Sequence, residues 1–296
     1  MRDSFQDYHP LVNFSYFALI LGLSMTVIHP MAQLISLCCA VCYAVQCEGK
    51  RAVRFSLKFC LPMFLLTAFV NPAFSHEGVT ILCYLPTGNP LTLESILYGL
   101  SAGGMLVTVL LWFVSFNRVI SSDKFIYLFG RIIPALSLVL SMTLRFVPKF
   151  KAQMNTVTEA QRSIGRDVSS GSLWQRTKTA ITILSIMITW SLENAIETAD
   201  SMKSRGYGLK GRTAFTVYRF DERDKAAMLW LAFCALYLIS GSVANGFGFR
   251  YFPSIRYISL NAVTVSFQVV WFMLCFTPIF LNLLEDRKWK ALYSAM

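Results

Sequence analysis

Charge is scarce in this chain of 296 residues: Asp, Glu, Lys and Arg make up 15% of it, against 55% hydrophobic residues. Soluble domains carry roughly 25% charged residues, so the composition excludes a water-exposed globular fold and indicates an integral membrane protein. Acidic residues are the scarcer sign, 16 against 27 Lys and Arg, leaving a net charge of +11. That excess is explained first by topology, because cytoplasmic loops of membrane proteins collect Lys and Arg. No finger, basic-zipper or RNA-recognition pattern accompanies it, so no nucleic-acid partner is expected. Histidine is nearly missing. His9, His29 and His76 are too far apart for ligand spacing, and neither a metal nor another cofactor is expected. The sequence also lacks a nucleophile–base pair, a carboxylate dyad and a zincin motif, which argues against an enzyme. Arg2, Asp3 and Asp7 precede the first apolar run and no small-residue cleavage site follows it, so no cleaved leader is expected. Cysteine is better supplied, and Cys39-Ala40-Val41-Cys42 has redox spacing. The motif lies in the middle of an apolar run, however, where Cys acts as a small packing residue.

What is present is a series of uncharged intervals. None of Asp, Glu, Lys or Arg occurs between Asp7 and Glu48, and His29-Pro30 falls midway. About forty such residues make two minimal crossings, near 11–28 and 31–47, with Pro30 resetting the backbone. Glu48-Gly49-Lys50-Arg51, with Arg54 and Lys58, then reads as a cytoplasmic loop. A third crossing is expected at 59–70, ended by Asn71-Pro72. The Lys- and Arg-free connection 76–90, with Pro86, Gly88 and Pro90, is expected outside. A fourth crossing, 94–116, leads back to Arg118. The intervals 226–249 and 257–284 supply two more, leaving Arg250 and Arg256 outside and a charged tail from Glu285 to Lys290 inside, with Trp289 as an interfacial anchor. This gives six crossings in the cell membrane with both termini cytoplasmic.

Two apolar stretches resist that scheme. Residues 132–144 and 179–192 are about thirteen residues long, the length of buried or interfacial helices rather than of spans. Both carry polar stripes at helical spacing: Ser137, Ser141, Arg145, Lys149 in one, and Lys178, Thr182, Ser185, Thr189, Glu193, Glu197 in the other. The pattern predicts two long amphipathic helices, about 134–163 and 172–204, each some 45–50 Å long, with Pro148 as a kink site in the first. Glu193, Glu197 and Asp200 read as a solvated or salt-bridged face. The fold class is therefore an all-α integral membrane protein with about six transmembrane helices and a cytoplasmic pair of long amphipathic helices. Its expected regions are 1–117, 118–225 and 226–296.

The basic segment 145–225 holds about half of the Lys and Arg and contains the most informative residues. Gly206 to Thr213 comes within one residue of a phosphate-loop pattern, with Arg212 in place of its Lys. Such a loop must follow a strand and open a helix, whereas these glycines follow a predicted helix. ATP binding by this chain is not expected. Gly206 reads instead as a helix C-terminal glycine and Lys210 and Arg212 as a basic loop. Arg205 is either a solvated cation at a helix C-terminus or a docking residue. Ala199, Ser201 and Ser204 leave a small-residue surface around it, from which its guanidinium can make a two-pronged bond to a carboxylate. Gly99-x-x-x-Gly103 with Gly104 forms a small-residue face suited to close helix packing, within the chain or against a partner.

Ser204-Arg205-Gly206, preceded by Ala199, resembles the small-Arg-Gly signature of the transmembrane T component (EcfT family) of energy-coupling factor (ECF) transporters. Further matches run along nearly the whole chain: His9-Pro10-Leu11-Val12, Asn71-Pro72, Gly130-Arg131 with Pro134, and Leu144-Arg145-Phe146-Val147-Pro148. The resemblance implies a non-catalytic coupling subunit of an ATP-driven importer of a vitamin or a metal ion. It implies two crossing coupling helices, each ending in a small-Arg-small motif that docks into a groove on one of two ATP-binding cassette ATPase subunits. It also implies a membrane-embedded S component that captures the substrate. The first motif falls at Ala160-Gln161-Arg162-Ser163-Ile164-Gly165-Arg166, where Ile164 occupies the family's Arg position. Arg162 and Arg166 flank it, expected on one helix face at i,i+4. Either supplies the cation, or this end docks by apolar packing.

A self-contained secondary transporter is the rival reading. It requires ionisable residues at mid-membrane and a repeat relating two halves, and the expected crossings show neither.

Overall fold

The computed structural model describes residues 3–84, 90–130, 133–209, 218–243, 248–257 and 261–294. The expectations placed on Pro86, Gly88, Arg131, Lys210, Gly211, Arg212 and Thr213 lie outside the described residues, as does the side chain of Trp289.

Ten α-helices are described. The first two, α1 (Pro10–Thr26) and α2 (Pro30–Glu48), each begin with Pro at the first helical position, where a missing N–H costs nothing. His9 and His29 cap them, each Nδ1 accepting the backbone N–H two residues on. Gly49, at φ +58°, ends α2, and α3 (Lys50–Phe55) starts on the next residue. The basic loop expected here is thus a one-residue break, because a glycine that tolerates positive φ turns the chain without a longer linker. Lys50, Arg51, Arg54 and Lys58 ride on helical backbone instead. A π-helical turn, Ser56–Cys60, joins α3 to α4 (Leu61–Phe74).

Asn71-Pro72 does not end the third crossing. Pro72 leaves the Ala68 carbonyl without its helical partner, but so near the terminus the helix continues to Phe74, with Ser75 N–H bonding the Asn71 carbonyl at 2.8 Å. A short antiparallel hairpin, β1 (Ile81–Tyr84) and β2 (Pro90–Thr92), leads into α5 (Leu93–Val119). Next come α6 (Ser122–Gly130), α7 (Pro134–Ser163), α8 (Leu173–Ser204) and α9 (Glu222–Val243). A second hairpin, β3 (Phe249–Arg250) and β4 (Arg256–Tyr257), pairs Arg250 with Arg256. The last helix, α10 (Ala262–Ser294), passes through Pro278 and carries the charged run Glu285 to Lys290 on helical backbone.

Six helical stretches are long and apolar enough to cross a membrane: Pro30–Glu48, Lys50–Phe74, Leu93–Val119, Leu173–Ser204, Glu222–Val243 and Ala262–Lys288. The number equals the sequence expectation, but the membership differs. α8 qualifies on length and composition, which do not register its polar stripe. α1, at 17 residues, falls among the shorter apolar helices. It spans roughly 25 Å, close to the minimum for a crossing. Wide apolar faces are left outward on these helices, including Leu66, Phe69 and Phe74 on α4 and Leu229, Phe233, Leu236 and Val243 on α9. Lipid covers such faces without cost, whereas water does not. The protein is a multi-pass, all-α integral membrane protein.

The chain divides into two units, Met1–Phe125 with Tyr218–Met296, and Ile126–Val217. In the first, α5 is central. Its Trp112 is fully buried among Tyr16 and Phe17 of α1 and Tyr43 of α2. Its indole N–H donates to Ser36 Oγ at 3.1 Å, and that of Trp271 donates to the Ala32 carbonyl at 2.9 Å, binding α5 and α10 to α2. In hydrocarbon an unpartnered donor costs several kcal/mol, so these bonds fix the register of the bundle. Before α1, the Phe5 N–H donates to Asn282 Oδ1 and the His9 N–H to Asp224 Oδ1, holding residues 5–9 against α9 and α10.

The second unit is built on α7 and α8. Val157, Ile183 and Met187 form its small core, flanked by Phe150, Val168 and Trp190. Phe146 stacks near Trp190 at 5.7 Å, and Lys149 Nζ donates to Asn194 Oδ1 at 2.6 Å. Residues 146–150 meet 190–194 while 157 meets 183–187, so the two helices cross in opposite directions. α7 continues past Pro148.

Candidate docking site

Both long helices end the same way. At the end of α7, the Gly165 N–H bonds the Arg162 carbonyl and the Arg166 N–H bonds the Gln161 carbonyl, both at 2.9 Å, with Gly165 at φ +80°. At the end of α8, the Gly206 N–H bonds the Lys203 carbonyl at 2.9 Å and the Tyr207 N–H the Met202 carbonyl at 3.0 Å, with Gly206 at φ +75°. This paired closure on a left-handed glycine is the Schellman motif, and only glycine adopts that backbone freely. Superposing the two caps residue by residue sets Ser163 on Ser204, Ile164 on Arg205, Gly165 on Gly206 and Arg166 on Tyr207. The alignment was available in the sequence as Ser-Ile-Gly and Ser-Arg-Gly, and the hydrogen bonds give it a structural meaning.

Arg205 is exposed and joins none of the ion pairs among the described residues. Ser204 keeps its hydroxyl on the Ser201 carbonyl at 2.9 Å, so it presents a small surface beside the guanidinium. At the other tip Ile164 is 69% exposed, a large apolar side chain held in water. Arg162 and Arg166 do not share a helix face as expected: α7 stops at Ser163, and the positive φ of Gly165 turns Arg166 away from the helical path. Arg162 Nε lies 3.5 Å from Asp167 Oδ2. The Asp167 carboxyl is held below its ordinary range by the backbone N–H and hydroxyl of Ser169, then by Arg162 and Arg176. Arg176 Nε donates to the Val168 carbonyl at 2.7 Å, and Ser172 and Gln175 form a reciprocal capping box at the start of α8. These bonds tie down the connector between the helices. Gly206 and Gly208 follow a helix rather than a strand, the reverse of a phosphate loop.

Two further surfaces bear on partners. The α7–α8 crossing leaves a trough of about 700 Å³, lined by Met142, Phe146, Phe150, Met154, Ala199 and Met202 among others. Along α8, Ile181, Leu184, Ile188, Leu192 and Ile196 are each more than half exposed and form one apolar stripe. In the sequence the polar stripe of α8 masks this one, although its three- and four-residue spacing is legible there. In the other unit, Gly99 and Gly103 serve internal packing. A Cβ on Gly99 would stand 3.0 Å from the Ala68 carbonyl oxygen, and one on Gly103 would stand 3.1 Å from that of Phe64, both on α4. Gly104 meets nothing within 4 Å.

Apolar crossings and an amphipathic helix pair with exposed, glycine-capped tips define a multi-pass membrane protein. The family described as CbiQ, cobalt transport protein, matches residues 9–215, and the chain belongs to that family. Relatives include the energy-coupling factor transporter transmembrane protein EcfT of Bacillus selenitireducens, 37% identical over 102 residues, 34% of this chain and 38% of the relative. The protein of the same name from Lactobacillus helveticus is 38% identical over 96 residues, 32% of this chain and 35% of the relative. The matched segments thus span under two fifths of these relatives' length.

Proposed function

We propose that this chain is the transmembrane coupling subunit of an ATP-driven importer of the energy-coupling factor type, non-catalytic itself. The observation that carries the reading is the pair of identically capped, exposed helix ends, one of which offers Arg205 on a small-residue surface. The two ends lie at opposite extremes of α8, whose 32 residues reach roughly 48 Å. That separation suits two ATPase subunits, one per tip. Closure of the ATPases on ATP would move the tips relative to each other, and stiff packed helices pass on such a displacement as rigid bodies. The apolar trough between α7 and α8, together with the exposed stripe of α8, supports this region as the seat of a substrate-binding S component. Gly99 and Gly103 already pack against α4, which leaves Gly104 as the free small residue of that face. The substrate is a vitamin or a metal ion chosen by the S component. Residues 118–225 form the cytoplasmic coupling region between two membrane regions, 1–117 and 226–296, with both termini on the cytoplasmic side.

Arg205→Ala tests the reading. A carboxylate left unpaired in a closed groove costs roughly 3–5 kcal/mol, on the order of a hundredfold to several thousandfold in affinity. ATPase co-purification and substrate uptake are therefore expected to collapse together. Wild-type values for both would remove Arg205 from the mechanism. In a background lacking the native cysteines, a cysteine at Ser170 should be labelled from the cytoplasmic side only, and labelling by an impermeant reagent from outside intact cells would overturn the topology.

A further inference from the structure

The membrane unit holds a crevice of about 640 Å³ between α9 and α10, lined also by Phe5 and Tyr8 of the segment before α1. Arg223 meets Glu285 at 3.4 Å and Trp230 meets Thr277 at 3.3 Å, so the two helices run antiparallel along it. From Arg223 to Leu231, α9 rises roughly 12 Å, close to the depth of one leaflet in a hydrocarbon core of about 30 Å. The wall is apolar, with Ala227, Phe276 and Phe280 among its residues. The one hydroxyl that α9 and α10 bring to it, that of Thr277, accepts from the Trp230 indole and donates to the Met273 carbonyl. Trp230, Phe272, Met273 and Phe280 are exposed, so the crevice opens outward between two helices long and apolar enough to cross a membrane.

The mouth of this crevice is charged. The Arg223 guanidinium lies 4.3 Å over the Tyr8 ring, and its Nη2 donates to the Asp7 carbonyl at 3.4 Å. With the bond to Glu285, two of its five N–H donors are engaged among the described residues. Glu285 meets Arg223 there through Oε1, which leaves Oε2 to accept. The neighbouring charges are committed elsewhere: Asp224 accepts from the His9 and Asp221 N–H groups, and Lys225 pairs with Glu222. A cation and an anion thus stand side by side above a hydrocarbon slot. We propose that the crevice binds one phospholipid whose headgroup carries a phosphate and a primary ammonium. One acyl chain fills the slot, the phosphate sits on Arg223 and the ammonium on Glu285. The order of charges is complementary to that headgroup. A purely anionic headgroup would meet repulsion from Glu285, and a quaternary ammonium has no N–H to donate to it. A peptide would bury unpaired polar groups against the wall, whereas an acyl chain needs no partner. The bound lipid holds residues 5–8 against α9 and α10.

The test uses the full chain, purified with whatever subunits accompany it. Native mass spectrometry counts the lipids retained after addition of phosphatidylethanolamine, phosphatidylglycerol or phosphatidylcholine with the same acyl chains. The expected result is one phosphatidylethanolamine per chain, held about tenfold more tightly than either of the others. The same lipid with a diazirine in its acyl chain is expected to cross-link to peptides covering 226–231 and 272–281. Arg223→Gln should lower retention about tenfold, while Arg223→Lys keeps most of it as a point charge for the phosphate. Ala226→Trp fills the slot from an exposed position, leaves both charges in place, and should lower retention at least as strongly. Glu285→Gln should remove the headgroup preference while lipid stays bound. Equal retention of the three lipids by the unaltered chain, undiminished retention in Ala226→Trp, or cross-links confined to other helices overturns the proposal. So does attachment of a cysteine at position 226 to another subunit through a bis-maleimide, which would make the crevice a protein interface. None of these outcomes bears on the coupling reading, whose test lies at Arg205.

Discussion

The three glycines of α5 give a prediction of opposite signs within one helical turn and a half. Replacing Gly103 by Ala puts a methyl 3.1 Å from both the Phe64 carbonyl oxygen and its ring Cδ2. At Gly99 the methyl would meet Asn71 Cβ at 3.1 Å and Pro72 Cδ at 3.3 Å, besides the Ala68 carbonyl at 3.0 Å. Crowding of this kind costs about 1–3 kcal/mol, because α4 must move off α5 or the Phe64 ring must turn. Against this, any Gly→Ala change inside a helix recovers about 0.5–1 kcal/mol. Gly99→Ala and Gly103→Ala should therefore be destabilising by up to about 2 kcal/mol. Gly104→Ala, with nothing within 4 Å, should be stabilising by about 0.5–1 kcal/mol. The two neighbouring substitutions at 103 and 104 differ by about 1–3 kcal/mol, several degrees in Tm. Thermal unfolding in detergent can be followed with a thiol-reactive fluorophore once the exposed Cys38, Cys42 and Cys83 and the half-buried Cys47 are replaced by Ser, because Cys39, Cys60, Cys234 and Cys275 are buried free thiols that react only when helices part. If Gly103→Ala melts above wild type, as Gly104→Ala is expected to, the close approach of α4 and α5 is refuted.

Two other expectations concern stability. Met187→Ala removes the most buried side chain shared by α7 and α8 and should cost about 2–5 kcal/mol in that unit. Faster amide exchange along 150–163 and 180–194 would report it, and unchanged exchange would contradict the packing described. The pH dependence of the segment before α1 follows from His9, whose Nδ1 accepts the Leu11 N–H at 3.2 Å and whose pKa is lowered by burial, with Asp224 opposing. A folded pKa below the unfolded value of about 6.5 means that the unfolded chain takes up the proton first as pH falls. The stability contribution is full above that value and declines below it, so Tm should fall between pH 7.5 and 5.5, and by less in His9→Asn. An equal fall in both proteins would exclude His9 as the cause.

Periodicity and charge-free length made most of the fold legible before any coordinates. Helices at 134–163 and 172–204 followed from polar residues recurring every three or four positions, and Pro30 and Gly206 marked a start and a stop by the backbone rules for those residues. The errors cluster where a single residue decides. Gly49, at positive φ, breaks the helix within a single residue, so helix resumes at once where the charge pattern predicts a loop. Pro72 reads as a terminator in the sequence, but a proline within a turn of the helix end forfeits only one hydrogen bond. The hairpins around Cys83 and Arg250 are short strands without an alternating pattern strong enough to announce them. At the candidate site, Arg205 stands out in the sequence through the small residues Ala199, Ser201 and Ser204 around it and the Ser-Arg-Gly resemblance, since a cation near a helix C-terminus is in itself ordinary. The geometry at the first tip is not legible there. Whether Arg166 stays on the helix depends on the φ of Gly165, which composition does not encode.

The π-helical turn at Ser56–Cys60 affects how the neighbouring sequence must be read. Such a turn accommodates one residue more than an α-helix does, which sets everything beyond it back by about 100° around the axis relative to a regular α-helical wheel. A helical wheel drawn straight through 50–74 therefore puts Lys50 and Arg51 on the wrong side relative to Phe64 and Ala68. Scanning accessibility residue by residue should show a phase skip there. Deleting one residue from the turn would restore a regular α-helix and leave the basic end and the contact with α5 in their present relative orientation.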